Sequence, residues 1–323
     1  MLSHQKLLEL SEQMPLLSFI PEQDCAWIQS DLTQAYLDFY RINFAREFDG
    51  LLHGFGCVEA AGFRIATHYW LPLDPRGTLV INHGLYDHVG IYNHAIRFAL
   101  SLNFAVLAFD LPGHGLSSGE PADISSFDQY ADVLALVLMQ GRELMPRPLH
   151  GLSQSTGAAM MLNYLWRYPS QNPAHQSFSK IVLCAPLIVG RGWGLGQFLY
   201  LLLKPFVKKL KRGVSNNSHS TKFIDFITYQ DPLQAKYLTL KWIGAMKSWN
   251  QQFSNFSSID REVFIVQGTG DMTVAWRYNL PLIKSKLPNA KIHMITDARH
   301  QLVSESDEYR SQAFDAIEKY LKV

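Results

Sequence analysis

The sequence predicts an α/β protein: a mostly parallel central sheet flanked by helices and interrupted by an inserted cap. Three observations lead there. Short apolar runs such as TLVIN and FAVLAF lack the alternation of a half-exposed strand, so they suit strands buried on both faces. Helical segments separate these runs one by one, which is the rhythm of a parallel sheet with crossover helices. Residues 187–258 break that rhythm, separating two such strands by about seventy residues, far beyond a usual crossover.

Taken in order, residues 30–48 (SDLTQAYLDFYRINFAREF) read as one amphipathic helix with a Ser/Asp start, inside a helical extension over about residues 1–50. Residues 54–72 alternate as two strands with a turn at Ala60–Gly62. The parallel units follow: a strand in 77–84, a helix near 93–102, a strand at 104–110 and a helix near 126–141. Next come a strand in 148–153, a helix at 156–167 and a strand at 180–186. After the interruption come a strand at 262–268, a helix near 275–287, a strand at 291–296 and a final helix. The expected domains are a core of 1–186 with 259–323, and a cap, 187–258, over the carboxyl ends of the strands where ligands bind such sheets.

Within the cap, GLGQFLYLLLKPFVKKLKRG (194–213) places Leu199, Leu202, Phe206 and Leu210 at helical spacing. Lys204, Lys208, Lys209, Lys211 and Arg212 supply a basic face. The expectation is a helix packed on the core with its lysines in water. The alternative is peripheral contact with an anionic membrane surface, the inner one for a cytoplasmic protein. Pro205 kinks or starts that helix. Tyr237–Phe256, with Trp242 and Trp249, reads as cap core.

Composition narrows the function classes. With 47% apolar and 18% charged residues the 323-residue chain is globular, and a formal net charge of +1 creates no field to draw nucleic acid. Three scattered cysteines (Cys25, Cys57, Cys184) make no disulfide framework, and no Cys/His cluster suggests a metal. A reducing, cytoplasmic setting without metal or cofactor is therefore expected. The N-terminal stretch is broken by Glu and Gln before any signal-length apolar run, and apolar runs such as Phe198–Leu203 are too short to span a bilayer.

Three serines compete as a nucleophile. A nucleophile elbow needs a strand entering, a tight turn on the serine, a helix leaving, and small residues two before and two after. Ser117 lies in the one literal G-x-S-x-G, GLSSG at 115–119, but no helix follows it, so it reads as a backbone turn. Ser153 has Gly151 before it but a poor helix start, QSTG, after it. Ser155 has Gly157 at plus two, a strand before it and the helix STGAAMMLNYLW after it, with Ser153 as a small residue at minus two. A serine hydroxyl needs a neutral imidazole to take its proton and a carboxylate to fix that imidazole. Asp271 follows a strand in QGTGDMT, and His300 follows the next in TDARHQL; Asp297 is a rival too close to His300 in sequence to reach around it. The expected oxyanion donors are the amides of Thr156, next to the serine, and Leu85, in the loop NHGLYDH after the third strand. His83 and His88 read as loop-stabilising, and His293 as a strand-face residue.

HGLYDHVGIY, FDLPGHGLSSGEP, the serine elbow, QGTGD and ARHQL occur in the order and spacing of the α/β-hydrolase superfamily. They most resemble its lysophospholipase and monoacylglycerol-lipase branch, over roughly 55–186 and 259–320. The elbow that usually reads GHSMGG there is LSQSTGA here. The resemblance implies Ser155, Asp271 and His300 as a triad, Leu85 and Thr156 as the oxyanion hole, and no cofactor or metal. It implies a carboxylic-ester hydrolase whose partner is a small lipid or ester. The same triad also serves aminopeptidases, C–C bond hydrolases and acyltransferases, and a catalytically inactive binding module is the alternative from another class. A serine at 155 argues against the variants that use an aspartate nucleophile.

Overall fold

Alternation over residues 52–71 produces two strands, Leu52–Ala60 (β1) and Phe63–Leu71 (β2), joined as an antiparallel hairpin. Ala61 and Gly62 both take positive φ, 51° and 82°, the two-residue turn that matches strand twist. The continuous apolar runs form β3 (Thr78–Asn82), β4 (Ala105–Phe109), β5 (Leu149–Gln154), β6 (Phe178–Cys184), β9 (Phe264–Gly268) and β10 (Lys291–Ile295). These pair in one eight-stranded sheet of order β1-β2-β4-β3-β5-β6-β9-β10, parallel from β4 to β10 and antiparallel at β1 and β2. The computed structural model describes residues 2–169, 177–213 and 216–322; positions 214 and 215 of the polar tract 213–221 lie outside them.

Helices cover both faces, as the patterning requires. Between the strands run α4 (Asn93–Ser101), α5 (Phe127–Gln140), α6 (Thr156–Arg167), α10 (Trp276–Lys286) and the closing α11 (Asp307–Lys322). Tyr130, Leu134, Met160 and Ile283 pack on one side of the sheet, and Ile96, Phe104, Ala313 and Ile317 on the other. Every residue of α6 from Thr156 to Tyr164 is buried, which fixes the helix that leaves Ser155.

Two sequence expectations fail. The N-terminal region holds three helices, α1 (His4–Gln13), α2 (Pro21–Ile28) and α3 (Asp31–Phe39), and the single helix expected over 30–48 stops at Phe39. Arg41 takes φ 57°, the Ile42 amide donates back to the Leu37 carbonyl, and Ile42 and Phe44 are fully buried. An i, i+2 apolar pair cannot share one helix face, so burying both ends the helix. The second failure lies in 194–213. Its helix, α7, covers only Trp193–Leu203, and Lys209–Lys211 forms a short strand (β7) paired with Tyr237–Thr239 (β8). Pro205 has no N–H to donate to the Leu201 carbonyl, so the helix cannot continue through it. No residue of α7 is buried, and Leu195 and Phe198 are 67% and 59% exposed; Trp193 touches the core, but most of the apolar side faces solvent.

The rest of 187–258 holds α8 (Thr221–Asp225), a π-helical turn (Phe226–Gln230) and α9 (Leu240–Asn255). The expected aromatic core is here: Trp249 is buried, stacks on Phe127 of α5 and donates its indole N–H to the Leu187 carbonyl. β6 and β9, which flank this segment, are neighbours in the sheet.

Candidate active site

A parallel sheet puts the carboxyl ends of its strands along one edge, so loops far apart in sequence meet there. Ser155 follows β5, and its backbone takes φ 55° and ψ −111°, a sparsely populated region for a residue with a side chain. Sharp as it is, the turn is held: the Ser155 amide donates to the Cys184 carbonyl, and its carbonyl accepts from Ala159 and Leu187. Gly157 is required two residues on, since a Cβ there would stand 2.5 Å from the Asn82 carbonyl oxygen and 2.6 Å from that of His83. At minus two, Ser153 is fully buried and its Oγ accepts from Asn82 Nδ2 at 2.9 Å, in register across β3 and β5. That hydrogen bond accounts for a serine in a place where its hydroxyl would otherwise be desolvated without a partner.

His300 reaches Ser155 from the loop after β10, its Nε2 3.0 Å from Ser155 Oγ. Its Nδ1 donates to Asp271 Oδ2 at 2.8 Å, and Asp271 follows β9. The other Asp271 oxygen accepts the amides of Thr273 and Val274, while Gln267 Nε2 donates to Oδ2. Asp297 is exposed on a turn and takes no part. Burial pushes the His300 imidazole down, but the charge and hydrogen bond of Asp271, with Asp87 beyond it, hold it above its ordinary 6.5. Burial likewise disfavours an ionised Asp271, yet His300, the Thr273 amide and Gln267 hold its carboxyl below the usual value. The arrangement suits a hydroxyl, a base and an anchored carboxylate acting in series.

Thr156 follows the serine in the chain, and Leu85 lies in the loop after β3, which comes close to it. Thr156 is the first residue of α6, where an amide has no carbonyl one turn back. Leu85 follows Gly84, whose Cα lies so close that an added Cβ would be 3.2 Å from Ser155 Cβ. His83 donates from Nδ1 to the Gly84 carbonyl and accepts the Leu111 amide at Nε2, so it braces this loop. His88 forms a fully buried ion pair with Asp231 at 2.9 Å, and Tyr40 donates to the same carboxylate. Ser117 is occupied in its turn, donating to the Asp110 carbonyl and accepting the Ala66 amide. His293 is exposed on β10.

Residues 73–307 match the family Hydrolase_4, serine aminopeptidase, S33. The chain belongs to that family. Its fold is that of an α/β-hydrolase, and the relatives it matches are monoacylglycerol lipases. It is similar to human monoglyceride lipase, 30% identical over 149 residues that make up 46% of this chain and 47% of the relative. Monoacylglycerol lipase of Mycolicibacterium smegmatis is 31% identical over 42% of this chain and 46% of its own length. The chain thus spans about half the length of these curated relatives in the matched region. Among solved structures, a soluble variant of Saccharomyces cerevisiae monoglyceride lipase in complex with a substrate analog superposes with a TM-score of 0.67. That likeness, at 18% identity over 83% of this chain and 93% of the other, is one of fold. Among the described residues no cluster of His, Cys, Asp and Glu fit to hold a metal occurs, and no helix is long and apolar enough to cross a membrane.

Residues that sequence reasoning passed over complete the site. Gln154 Nε2 donates to the His300 carbonyl at 2.8 Å, tying the strand that carries Ser155 to the histidine loop. Gln267 donates to Asp271, and Gln301, next to His300, donates to Asp87 in the loop after β3. The signal available for them was position alone: Gln154, Asp87 and Gln301 adjoin Ser155, His88 and His300, and Gln267 opens the stretch QGTGD.

Proposed function

We propose that this chain is a serine hydrolase that cleaves carboxylic esters of lysophospholipid- or monoacylglycerol-like lipids through an acyl-enzyme on Ser155. The observation that carries this reading is the relay from Ser155 Oγ through His300 to Asp271, at 3.0 and 2.8 Å. His300 Nε2 takes the hydroxyl proton as Oγ attacks the ester carbonyl carbon. The Leu85 and Thr156 amides receive the charge that develops on the carbonyl oxygen. The tetrahedral intermediate collapses, the alcohol leaves with the proton from His300, and a water repeats the sequence to free the acid. Asp271 keeps Nδ1–H in place and stabilises the imidazolium.

Residues 187–258 serve as a cap over this edge of the sheet. Two contacts support that role: Asp231 pairs with His88 of the loop after β3, and the Asn217 carbonyl accepts the Gln301 amide beside His300. The lipid assignment rests on the names of the similar proteins, monoglyceride and monoacylglycerol lipases. Peripheral contact with a membrane surface goes with it. Three free cysteines, two of them buried, accord with a reducing, cytoplasmic setting.

The test is a hydrolysis screen of the purified protein over acyl chain length and head group, with peptide amides included because the family carries an aminopeptidase description. Faster turnover of long-chain monoacylglycerols or lysophospholipids than of p-nitrophenyl acetate is expected. Preference for short non-lipid esters would defeat the lipid reading, and faster cleavage of peptide amides would replace it with aminopeptidase activity.

A further inference from the structure

Asp87 is a buried carboxylate with no part in the relay, and its contacts join the two loops that flank it. Its Oδ1 and Oδ2 accept from Gln301 Nε2 at 2.9 and 3.0 Å, across 214 residues of chain. Oδ2 also accepts the Tyr92 hydroxyl at 2.9 Å and, more weakly, the Gly84 amide at 3.3 Å. Gly84 precedes Leu85, and Gln301 follows His300. The Gly84 amide is shared with the Tyr92 hydroxyl at 3.1 Å, so three groups converge on one point beside Ser155. A Cβ at Gly84 would stand 3.0 Å from Asp87 Oδ2 and 3.2 Å from Ser155 Cβ, so both the carboxylate and the serine crowd Gly84.

We propose that Asp87 is a positioning residue: it clamps the loop carrying Leu85 to the loop carrying His300, so that the oxyanion donor and the base keep one geometry. The inference rests on the hydrolase reading above and deepens it. Burying a carboxylate is costly, and here it is offset by directed donors from both loops. Burial pushes the Asp87 carboxyl above its ordinary value, while the Gln301 and Tyr92 donors and the charges of Arg212 and His300 pull it back down. Arg212 stacks over the ring of the neighbouring Tyr86 at 3.9 Å. His88 is committed to Asp231, Asp110 accepts the Val89 and Leu116 amides, and burial holds His83 and His114 neutral. A fixed negative charge facing His300 also favours the imidazolium that forms during the reaction.

The experiment is a double-mutant cycle on p-nitrophenyl ester hydrolysis with Asp87→Ala, Gln301→Leu and the double variant, with Asp87→Asn alongside. Asp87→Asn preserves the network if the Gln301 amide turns over, since its oxygen then accepts from the new amide nitrogen. Misplacing a base or oxyanion donor costs up to about 100-fold. Asp87→Ala is therefore expected to lower kcat by roughly ten- to a hundred-fold with little change in KM. Gln301→Leu should reproduce most of that loss, and the double variant should lose no more than the worse single one. Asp87→Asn should keep most of kcat while moving the acid limb of kcat/KM to lower pH, which a merely structural group would not do. Unchanged kcat in a folded Asp87→Ala, independent losses that multiply in the double variant, or an unmoved acid limb in Asp87→Asn would each overturn the clamp. A wild-type chain inert to every ester would instead sink the hydrolase reading, so the two failures are distinguishable.

Discussion

Ser155 holds a positive φ that a side chain disfavours by about 1–3 kcal/mol. The cost is borne by the buried α6 and by amides and carbonyls that lock the turn from both sides. What that strain provides is a hydroxyl 3.0 Å from an imidazole whose other nitrogen is already committed. The pH dependence follows from the same contacts. His300 acts as a base only when neutral, and its proton affinity is raised in the folded protein. Activity should therefore fall as the pH drops through a value above 6.5, and a kcat/KM profile measures it. Asp271→Asn removes the largest stabiliser of the imidazolium. It should shift that limb downward and cost on the order of 10⁴-fold in kcat. A wild-type limb below 6.5 would contradict this balance. The three residues that the fold brings together, Ser155, His300 and Asp271, were legible as candidates because each follows a strand, and a strand end is a local signal. Asp87 with Gln301, and Gln154 with the His300 carbonyl, were not, because a hydrogen bond across 214 or 146 residues leaves no period to read.

Among the elements, those with one dominant periodicity emerged where expected. The helix at 156–167 and the strands on either side of it agree with the sequence to within a residue or two. Segment 194–213 did not, because its apolar residues fit a helix over a longer stretch than Pro205 permits. The result is an apolar helix with no buried residue, followed by Phe206, 85% exposed, and by the exposed lysines 204, 208, 209 and 211. Leucines and phenylalanines open to solvent beside a group of cations suit the boundary of an anionic lipid layer, where each lysine contributes about 1 kcal/mol. The protein is therefore expected to co-sediment with vesicles containing phosphatidylserine and much less with purely zwitterionic ones. Replacing those four lysines with glutamine should abolish the difference. Equal sedimentation of wild type and variant would rule out this surface.

Over the whole molecule, topology assembles the site. β5 is flanked by β3 and β6 in the sheet, with β9 and β10 beyond, so the loops after β3, β5, β9 and β10 converge although they span residues 84 to 300. The fold class was legible because a sheet buried on both faces leaves continuous apolar strands between helices. The way residues 216–234 meet the core was not, since it depends on Asp231 finding His88 and Tyr40. The central claim is that this convergence makes Ser155 the nucleophile. Treatment with a fluorophosphonate probe, followed by peptide mass mapping, tests it most directly. One adduct is expected, on Ser155, lost in Ser155→Ala and formed far more slowly in His300→Ala. An adduct on Ser153 or Ser117, or labelling indifferent to His300, would contradict it.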